Sequence, residues 1–301
     1  MSSPWISALR SVALIVPDVD ASTRFYIDTW HLTVADRSET AVYLRATGDA
    51  HHVLSLHRGD RVALRDVTFT ARNADALDAI AQAAVAAGGR ILTSPGIVDE
   101  PGGGQGVTLG DPMGRVFRVV HGDQRHRDAS PKADCPSRLA HVVLNSHDVA
   151  ATQRFLEQAL AFRLSDRTRI MAFMNCNNDH HSVAIGDTDN DALNHIAFLM
   201  PDLESVMRGG GRMRDAGYVI EWGPGRHGPG NNAFNYFVGP DGVVIEYTAE
   251  VQQIDDSYLA GGPEDWKWPP GRIDQWGISV VPGASLKDAQ RAVHFQPESS
   301  Q

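Results

Sequence analysis

The hydrophobic and polar positions of the chain follow a pattern that recurs about every sixty residues. In the clearest copy, residues 138–146 (RLAHVVLNS) alternate apolar and polar side chains, which predicts a β-strand. Residues 147–160 then place apolar side chains three and four positions apart, which predicts an amphipathic helix. Residues 171–186 (MAFMNCNNDHHSVAIG) predict two strands around an Asn-rich turn.

The next copy repeats this order with different residues. Residues 194–200 (NHIAFLM) predict a strand, and residues 203–217 predict a helix that glycine ends. Residues 232–238 and 243–250 predict a hairpin, because the turn residues GPDG join two apolar runs. Each copy therefore combines strands with one helix.

The two halves of the chain are similar to each other. Residues 9–37 align without a gap to residues 139–167 at an offset of 130, with many identities. Such internal similarity indicates duplication. We predict an α+β fold of two tandem modules, each built from paired βαβββ units that form a partly open barrel around a shared hollow. Ligand chemistry is expected inside that hollow.

Four segments follow from this duplication. Residues 1–121 form the first module, residues 122–137 a polar linker, residues 138–250 the second module, and residues 251–301 a C-terminal strap and tail. We expect the strap to pack on the second module and residues 285–301 to be loosely held. Three tryptophans among prolines and glycines mark the strap: Trp266, Trp268 and Trp276.

Composition narrows the function classes. The chain is 42% hydrophobic and 21% charged, which is typical of a globular protein. A net charge of -10 argues against nucleic acid and anionic membrane surfaces as partners and favours a small molecule. Cys135 and Cys176 are the only cysteines, so free thiols in the cytoplasm are expected. The first sixteen residues lack the pattern of an export signal, and no apolar run approaches ~20 residues.

Candidate chemistry appears where the aligned halves differ. The second half has metal-ligand side chains on three predicted strands, and the first half has other side chains at the same places. The aligned pairs are His141 with Ser11, His195 with Asp66, and Glu246 with Arg118.

These three residues predict a metal centre. Alternate side chains of a strand share a face, so His141, His195 and Glu246 can point into one concave surface. Two imidazoles and one carboxylate on one side of a metal leave other positions open, as in non-haem iron(II) oxygenases that take substrate and O2 together. Iron(II) is the preferred ion and manganese(II) the alternative. Arg118 would repel a cation, so the first half is interpreted as a scaffold copy.

The motifs HVVL at 141, HHSVAI at 180, NHIAF at 194, GPGRHGPGNNAFNYF at 223 and DGVVIEYT at 241 carry a resemblance. Over roughly residues 7–250 the chain resembles the extradiol catechol dioxygenases of the vicinal oxygen chelate superfamily, which include catechol 2,3-dioxygenases and 2,3-dihydroxybiphenyl 1,2-dioxygenases. The resemblance implies that His141, His195 and Glu246 are the iron ligands.

The same resemblance implies catalytic roles for His181, His227 and Tyr236. Only one of His180 and His181 can face the cavity if both lie on a strand, and we choose His181 because it shares parity with Val183. The alternative is that both are solvent-facing turn residues. His227 lies in a Gly- and Pro-rich loop that could close over a substrate. The first-half pair, His51 and His52, is interpreted as structural.

The implied reaction is insertion of both atoms of O2 into a catechol-type ring, with cleavage adjacent to the diol, in aromatic compound degradation. The resemblance also implies a homo-oligomer. A glyoxalase-like isomerase or lyase on the same module is one alternative, which three rather than four ligands disfavour. A non-catalytic small-molecule binding protein is another. Neither the ring substituents nor the number of subunits follows from the sequence.

Overall fold

The computed structural model of the chain describes residues 3–296. The first module alternates strands and helices in the predicted βαβββ order, twice over. Its elements are β1 (Ile6–Val16), α1 (Val19–Asp28), β2 (Thr33–Arg37), β3 (Ala41–Arg45), β4 (Leu54–Arg58), β5 (Ala63–Ala71), α2 (Asp75–Ala86), β6 (Arg90–Ile97), β7 (Gln105–Gly110) and β8 (Val116–His121).

The second module repeats this order, and a short helix and strand follow it. Its elements are β9 (Arg138–Ser146), α3 (Val149–Leu160), β10 (Arg163–Arg167), β11 (Met171–Asn175), β12 (Val183–Asp187), β13 (Ala192–Leu199), α4 (Leu203–Asp215), β14 (Trp222–Arg226), β15 (Ala233–Val238), β16 (Val244–Ala249), α5 (Ala284–Ala289) and β17 (Val293–His294).

Each module forms one open mixed sheet. The strand orders are β2-β3-β4-β1-β5-β8-β7-β6 and β10-β11-β12-β9-β13-β16-β15-β14. The two units of a module meet at an antiparallel pair, β1 with β5 in the first and β9 with β13 in the second. The predicted α+β fold of duplicated βαβββ units is therefore confirmed.

Three of the four unit helices begin at an aspartate that accepts from the backbone amide three residues on, whereas α2 begins at Ala74 without a side-chain cap. Asp18, Asp148 and Asp202 are N-cap residues whose carboxylates accept from the amides of Ala21, Ala151 and Ser205. Such caps satisfy amides that the first helical turn leaves unpaired. The aspartates recur because the duplicated units retain the same strand-to-helix turn.

One hydrophobic core runs through both modules. Helices α2 and α3 lie between the sheets, where the ring of Phe155 stacks on that of Phe117 with centroids 6.2 Å apart. Buried Arg115 of the first module adds an ion pair of 2.6 Å to Asp191 of the second. The modules are thus packed as one body.

The C-terminal segment corrects one expectation. Residues 285–301 were expected to be loosely held, but α5 and β17 are ordered parts of the fold. Leu286 of α5 is fully buried, and Val293 of β17 pairs with Leu193 of β13. Apolar side chains at these two positions explain the docking. Residues 297–301 lie outside the described residues.

The strap packs on the second module as predicted. The rings of Trp266 and Trp268 lie so close to Gly228 that a Cβ at that position would press against both. The Arg226 guanidinium lies over the ring of Trp276, 5.0 Å from its centroid. Across residues 3–296, no helix combines the length and apolar character needed to cross a bilayer.

Candidate metal centre

Three adjacent strands bring His141, His195 and Glu246 to one point. In the register of β9, β13 and β16, Ala197 lies opposite both His141 and Glu246. His195 is two residues before Ala197 on β13 and so shares its face of the sheet. The three side chains therefore converge from neighbouring strands, although they are far apart in sequence.

The ligand atoms form a compact triangle. His141 Nε2 lies 3.1 Å from Glu246 Oε2, His195 Nε2 lies 3.2 Å from the same oxygen, and the two Nε2 atoms are 3.4 Å apart. Nitrogen and oxygen ligands about 2.1 Å from one metal are about 3 Å apart when they occupy adjacent corners of its coordination sphere. The triangle therefore fits one divalent ion bound on a single side.

Burial and charge favour the ligand forms of these groups. Burial alone would raise the pKa of Glu246, but the surrounding imidazoles of His141, His195 and His227 outweigh that effect and hold the pKa well below its usual range. Burial lowers the pKa of His195 to about 4, against the opposing effect of Glu246. An ionised carboxylate and a neutral imidazole are the forms that bind a metal.

A second layer orients His195. Its Nδ1 lies 2.8 Å from Asn194 Oδ1, and Asn194 Nδ2 donates to Asn145 Oδ1 at 2.9 Å. Because an amide oxygen only accepts, Nδ1 of His195 carries the proton and Nε2 presents its lone pair to the centre. His141 is held differently, since its Nδ1 is buried without a hydrogen-bond partner in residues 3–296 and its ring packs on His181.

The two neighbouring histidines have different places. The ring centroid of His181 lies 4.3 Å from that of His141, whereas His180 lies behind His181 and binds Asp166. Both are buried, so the alternative that they are solvent-facing turn residues is wrong. Burial lowers the pKa of His181 well below its usual range, and the neighbouring His141 and His180 rings act in the same direction.

The parity argument for His181 is also wrong in its physical basis. β12 begins only at Val183, so the histidine pair precedes the regular strand. Val183 and Ile185 face the main core, while Ala184 packs with Val143 on the side of the metal centre. The turn, rather than strand alternation, places His181 next to His141.

His227 and Tyr236 lie on the other side of the triangle. His227 Nε2 is 3.0 Å from the Tyr236 hydroxyl, which lies 3.4 Å from His195 Nε2. Burial and the nearby Glu246 raise the pKa of Tyr236 well above its usual range. Its hydroxyl is therefore protonated and available as a donor.

The segment around His227 is a tight hairpin rather than a long loop. β14 pairs with β15, His227 N donates to Asn232 O at 2.9 Å, and the His227 ring stacks on Phe234 with centroids 4.0 Å apart. Pairing and stacking hold the side chain, so closure of a mobile loop is not needed to bring it to the site.

Aromatic and aliphatic side chains complete the surroundings. Val143, Phe173 and Ala184 form one apolar group, with Phe173 5.1 Å from the His181 ring. Trp222 stacks on Tyr236 on the opposite side, with centroids 4.9 Å apart. Apolar side chains thus pack against His181 on one side and against Tyr236 on the other.

The first module carries no comparable set of ligands at the aligned positions. Arg118 forms an ion pair of 2.6 Å with Glu100, and Asp66 accepts from Thr68 at 2.9 Å. His52 and Arg10 share a contact of 2.7 Å in the buried region of that module. These groups satisfy one another by hydrogen bonds and ion pairs.

Sequence reasoning missed Asn194, Asp166 and Trp222. Asn194 directly precedes a proposed ligand, and Asp166 falls within the aligned repeat opposite Asp36. A single polar residue on a strand is usually a solvent-facing one, so neither position stood out. Trp222 lies in a Gly- and Pro-rich segment that favoured a loop.

A duplicated βαβββ scaffold with a two-histidine, one-carboxylate cluster in one module defines a class of metal-dependent protein. The chain belongs to the Glyoxalase/Bleomycin resistance protein/Dioxygenase superfamily, whose profile matches residues 8–118 and 138–247.

Individual relatives extend this similarity over nearly the whole chain. Metapyrocatechase 2 of Cupriavidus necator is 29% identical over 91% of this chain and 90% of its own length. The manganese-dependent 2,3-dihydroxybiphenyl 1,2-dioxygenase of Geobacillus genomosp. 3 is 23% identical over 94% of this chain and 98% of its own length. The Mn(II)-bound glyoxalase structure from Novosphingobium aromaticivorans is 32% identical with a TM-score of 0.89, and the match covers 100% of both chains.

Proposed function

We propose that this chain is an extradiol dioxygenase, which inserts both atoms of O2 into a catechol-type ring and cleaves it adjacent to the diol. The observation that carries the proposal is the triangle of His141, His195 and Glu246 atoms, 3.1 to 3.4 Å apart, with acid–base side chains grouped beside it. The similarity to metapyrocatechase 2 supports the same reaction class.

We propose that His141, His195 and Glu246 bind iron(II). Manganese(II) is the alternative, because two of the similar proteins are described with manganese and the same ligand types suit both ions. When bound, such an ion would supply a template that orients the ring and O2 together and polarises the diol.

His181 is proposed as the acid–base group. Its ring lies directly beside His141, which places it at the edge of the site rather than among the ligands. An imidazole there would accept a proton from a substrate hydroxyl and return it to an oxygen of the product. Burial excludes solvent from the exchange, since His181 is only 3% exposed.

Tyr236 and His227 are proposed to hydrogen-bond and orient the substrate. The Tyr236 hydroxyl donates, and His227, in contact with it at 3.0 Å, fixes its direction. A donor held in place before the reaction stabilises the negative charge that develops on a substrate oxygen. The walls at Phe173 and Trp222 would bind the ring by apolar contact.

The test is oxygen consumption with a panel of catechols. The full-length chain, stripped of metal and reloaded with iron(II) or manganese(II), is expected to consume one O2 per ring and yield a ring-opened semialdehyde. A panel of monocyclic, bicyclic and polysubstituted diols identifies the preferred ring, and the better ion is the one that gives the higher turnover per bound metal. Metal binding without O2 uptake on any diol would refute the dioxygenase proposal.

A glyoxalase-type isomerase or lyase is the second candidate, favoured by the 32% identity to the Mn(II)-bound glyoxalase. Against it, the potential metal cluster found in residues 3–296 has three members rather than four. Isomerisation of a hemithioacetal by the metal-loaded chain, without O2 uptake, would favour it. Binding of a small molecule with no turnover would favour a binding protein.

We further propose a cytoplasmic homo-oligomer. Cys135 and Cys176 are both free, which fits a reducing compartment, and burial raises the pKa of Cys176 to about 12. Light scattering on the purified chain would give the number of subunits, and a monomer would refute the oligomer.

A further inference from the structure

Asp166, His180 and His181 form a continuous hydrogen-bonded chain that ends beside the metal centre. Asp166 Oδ2 lies 2.8 Å from His180 Nε2, and His180 Nδ1 lies 3.1 Å from His181 Nδ1. The side chains of Asp166 and His180 are fully buried. Burial removes competition from solvent, so these contacts define the donors and acceptors of both rings.

The direction of each bond follows from chemistry. A carboxylate only accepts, so His180 Nε2 carries the proton that it donates to Asp166. A neutral imidazole with a proton on Nε2 has an acceptor at Nδ1. With His180 in this neutral form, His181 donates from Nδ1, and its Nε2 keeps a lone pair.

We propose that Asp166 and His180 are positioning residues, which hold His181 in the Nδ1–H tautomer and so present its Nε2 lone pair to a substrate. The inference rests on the acid–base role that we propose for His181. It adds two residues that do not touch the reacting atoms but decide which nitrogen of His181 can accept a proton.

The C-terminal strap completes this arrangement. Asp166 also accepts from the Tyr258 hydroxyl at 3.0 Å and from the Gly261 amide at 2.6 Å. The amide of His180 donates to Gln252 O of the same segment at 2.9 Å. The strap therefore holds both the carboxylate of Asp166 and the backbone of His180, the histidine that donates to this carboxylate.

The first module offers an internal comparison. His51 Nδ1 and His52 Nδ1 are 2.9 Å apart, as in the second module, but His52 Nε2 lies 2.7 Å from a guanidinium nitrogen of Arg10. A guanidinium only donates, so His52 Nε2 accepts and its Nδ1 carries the proton. In the first module Arg10 fixes this tautomer by donating to Nε2 of His52 itself, so the Nε2 lone pair is occupied. In the second module Asp166 and His180 fix the tautomer through Nδ1 of His181, so the Nε2 lone pair is not used by them.

The test reads the tautomers directly. Long-range 1H–15N spectra of the metal-free, full-length chain labelled at histidine distinguish a protonated from an unprotonated ring nitrogen. At pH 7.5 we expect a protonated Nδ1 and an unprotonated Nε2 in His181, as in His52. A wild-type His181 with its proton on Nε2 overturns the inference without any variant.

Asp166→Asn is expected to reverse the direction of the hydrogen bonds from residue 166 through His180 to His181. The Gly261 amide requires the Asn oxygen, which turns the NH2 group towards His180 Nε2. His180 then donates from Nδ1, and His181 carries its proton on Nε2. The signals of His52 should not move, and Asp187→Asn, the same change at an exposed carboxylate of β12, should leave both tautomers as in the wild type.

Turnover supplies the second readout. With metal content unchanged, we expect Asp166→Asn to lower kcat roughly 10- to 100-fold with little change in KM. Wild-type kcat together with an inverted tautomer would overturn the positioning role. If the wild-type chain cleaves no catechol but the tautomers respond as described, the proposed function fails and the assignment of Asp166 and His180 stands.

Discussion

The indole ring of Trp30 lies parallel to the phenol ring of Tyr247, with ring centroids 3.6 Å apart and an interplanar angle of 8°. Trp30 follows α1 of the first module, and Tyr247 adjoins Glu246 on β16 of the second. Gly209 of α4 lets the helix approach the same ring, since a Cβ there would lie 2.7 Å from Tyr247 Cε2. The first module therefore supports the strand of the second module that carries Glu246, a proposed metal ligand.

Replacement of Trp30 tests this support. Trp30 is fully buried, so Trp30→Ala is expected to lower the free energy of unfolding by about 3–5 kcal/mol and to weaken metal binding through β16. Urea unfolding and metal titration of the full-length chain measure both effects. Trp30→Phe should cost less, and Ile97→Ala, at a position 88% exposed, should change neither quantity. Unchanged metal affinity in Trp30→Ala would show that the stacking of Trp30 on Tyr247 does not support metal binding.

Glu246→Ala is expected to abolish metal binding. The carboxylate is the one anionic member of the triangle, and two imidazoles alone bind a hard or borderline ion weakly. Elemental analysis after reconstitution should give close to one metal per wild-type chain and almost none per variant. Glu250→Ala, at an exposed carboxylate four residues later, is the matched control and should retain the metal. A loaded Glu246→Ala chain would remove Glu246 from the ligand set.

His181→Ala is expected to keep the metal and lose turnover. The side chain lies beside His141 but outside the ligand triangle, so its loss removes the acid–base group alone. General acid–base catalysis contributes roughly 10²- to 10⁴-fold, which sets the expected fall in kcat. Oxygen uptake per bound metal is the measurement. Full activity in this variant would take His181 out of the mechanism.

Gly230→Ala is expected to displace His181. Gly230 has a φ of +78°, and a Cβ there would lie 2.9 Å from His181 Cε1. A side chain with this backbone conformation costs about 1–3 kcal/mol, and the contact also pushes the imidazole. Urea unfolding should show lower stability, and oxygen uptake should fall more than the metal content. Gly211→Ala, where a Cβ meets open space in α4, should be neutral or stabilising.

Stability is expected to fall as the pH drops from about 6.5 to 4. Burial and the charge of Arg65 lower the pKa of His57 to about 4 in the folded chain, while the unfolded chain keeps the ordinary value near 6.5. The unfolded state therefore binds more protons across this window, and the loss is on the order of 3 kcal/mol. Urea unfolding of the metal-free chain between pH 4.5 and 7 should show a shallower slope in His57→Gln.

The repeat and the ligand strands could be predicted because alternation and spacing depend on which side chains a sheet buries. Two edge strands could not. β10 (RLSDR) is mostly polar, and β14 (WGPGR) contains residues that favour turns, so neither has the apolar pattern of a buried strand. Backbone contacts with the C-terminal strap stabilise both edges, because the Arg167 amide donates to Gly261 O and the Gln275 amide donates to Arg226 O, and these partners lie far away in the sequence.

The candidate site also contains residues that could be predicted from the sequence and residues that could not. His141, His195 and Glu246 could be predicted because each replaces a residue of another type in the aligned half. Asp166 has an aspartate as its counterpart, and its role depends on Tyr258 and a Gly261 amide nearly a hundred residues later. No local pattern contains that information. The domain boundaries and the catalytic roles stay predictions.

The position of the strap in the chain has a consequence for synthesis. All three members of the metal-binding triangle have left the ribosome once residue 246 has emerged, whereas Tyr258 and Gly261, which secure Asp166, emerge only afterwards. If these three side chains bind the metal as proposed, a nascent chain has all of them available before the orientation of His181 is settled. On the roles proposed above, the strap therefore completes the acid–base group only after the proposed ligand side chains have been made.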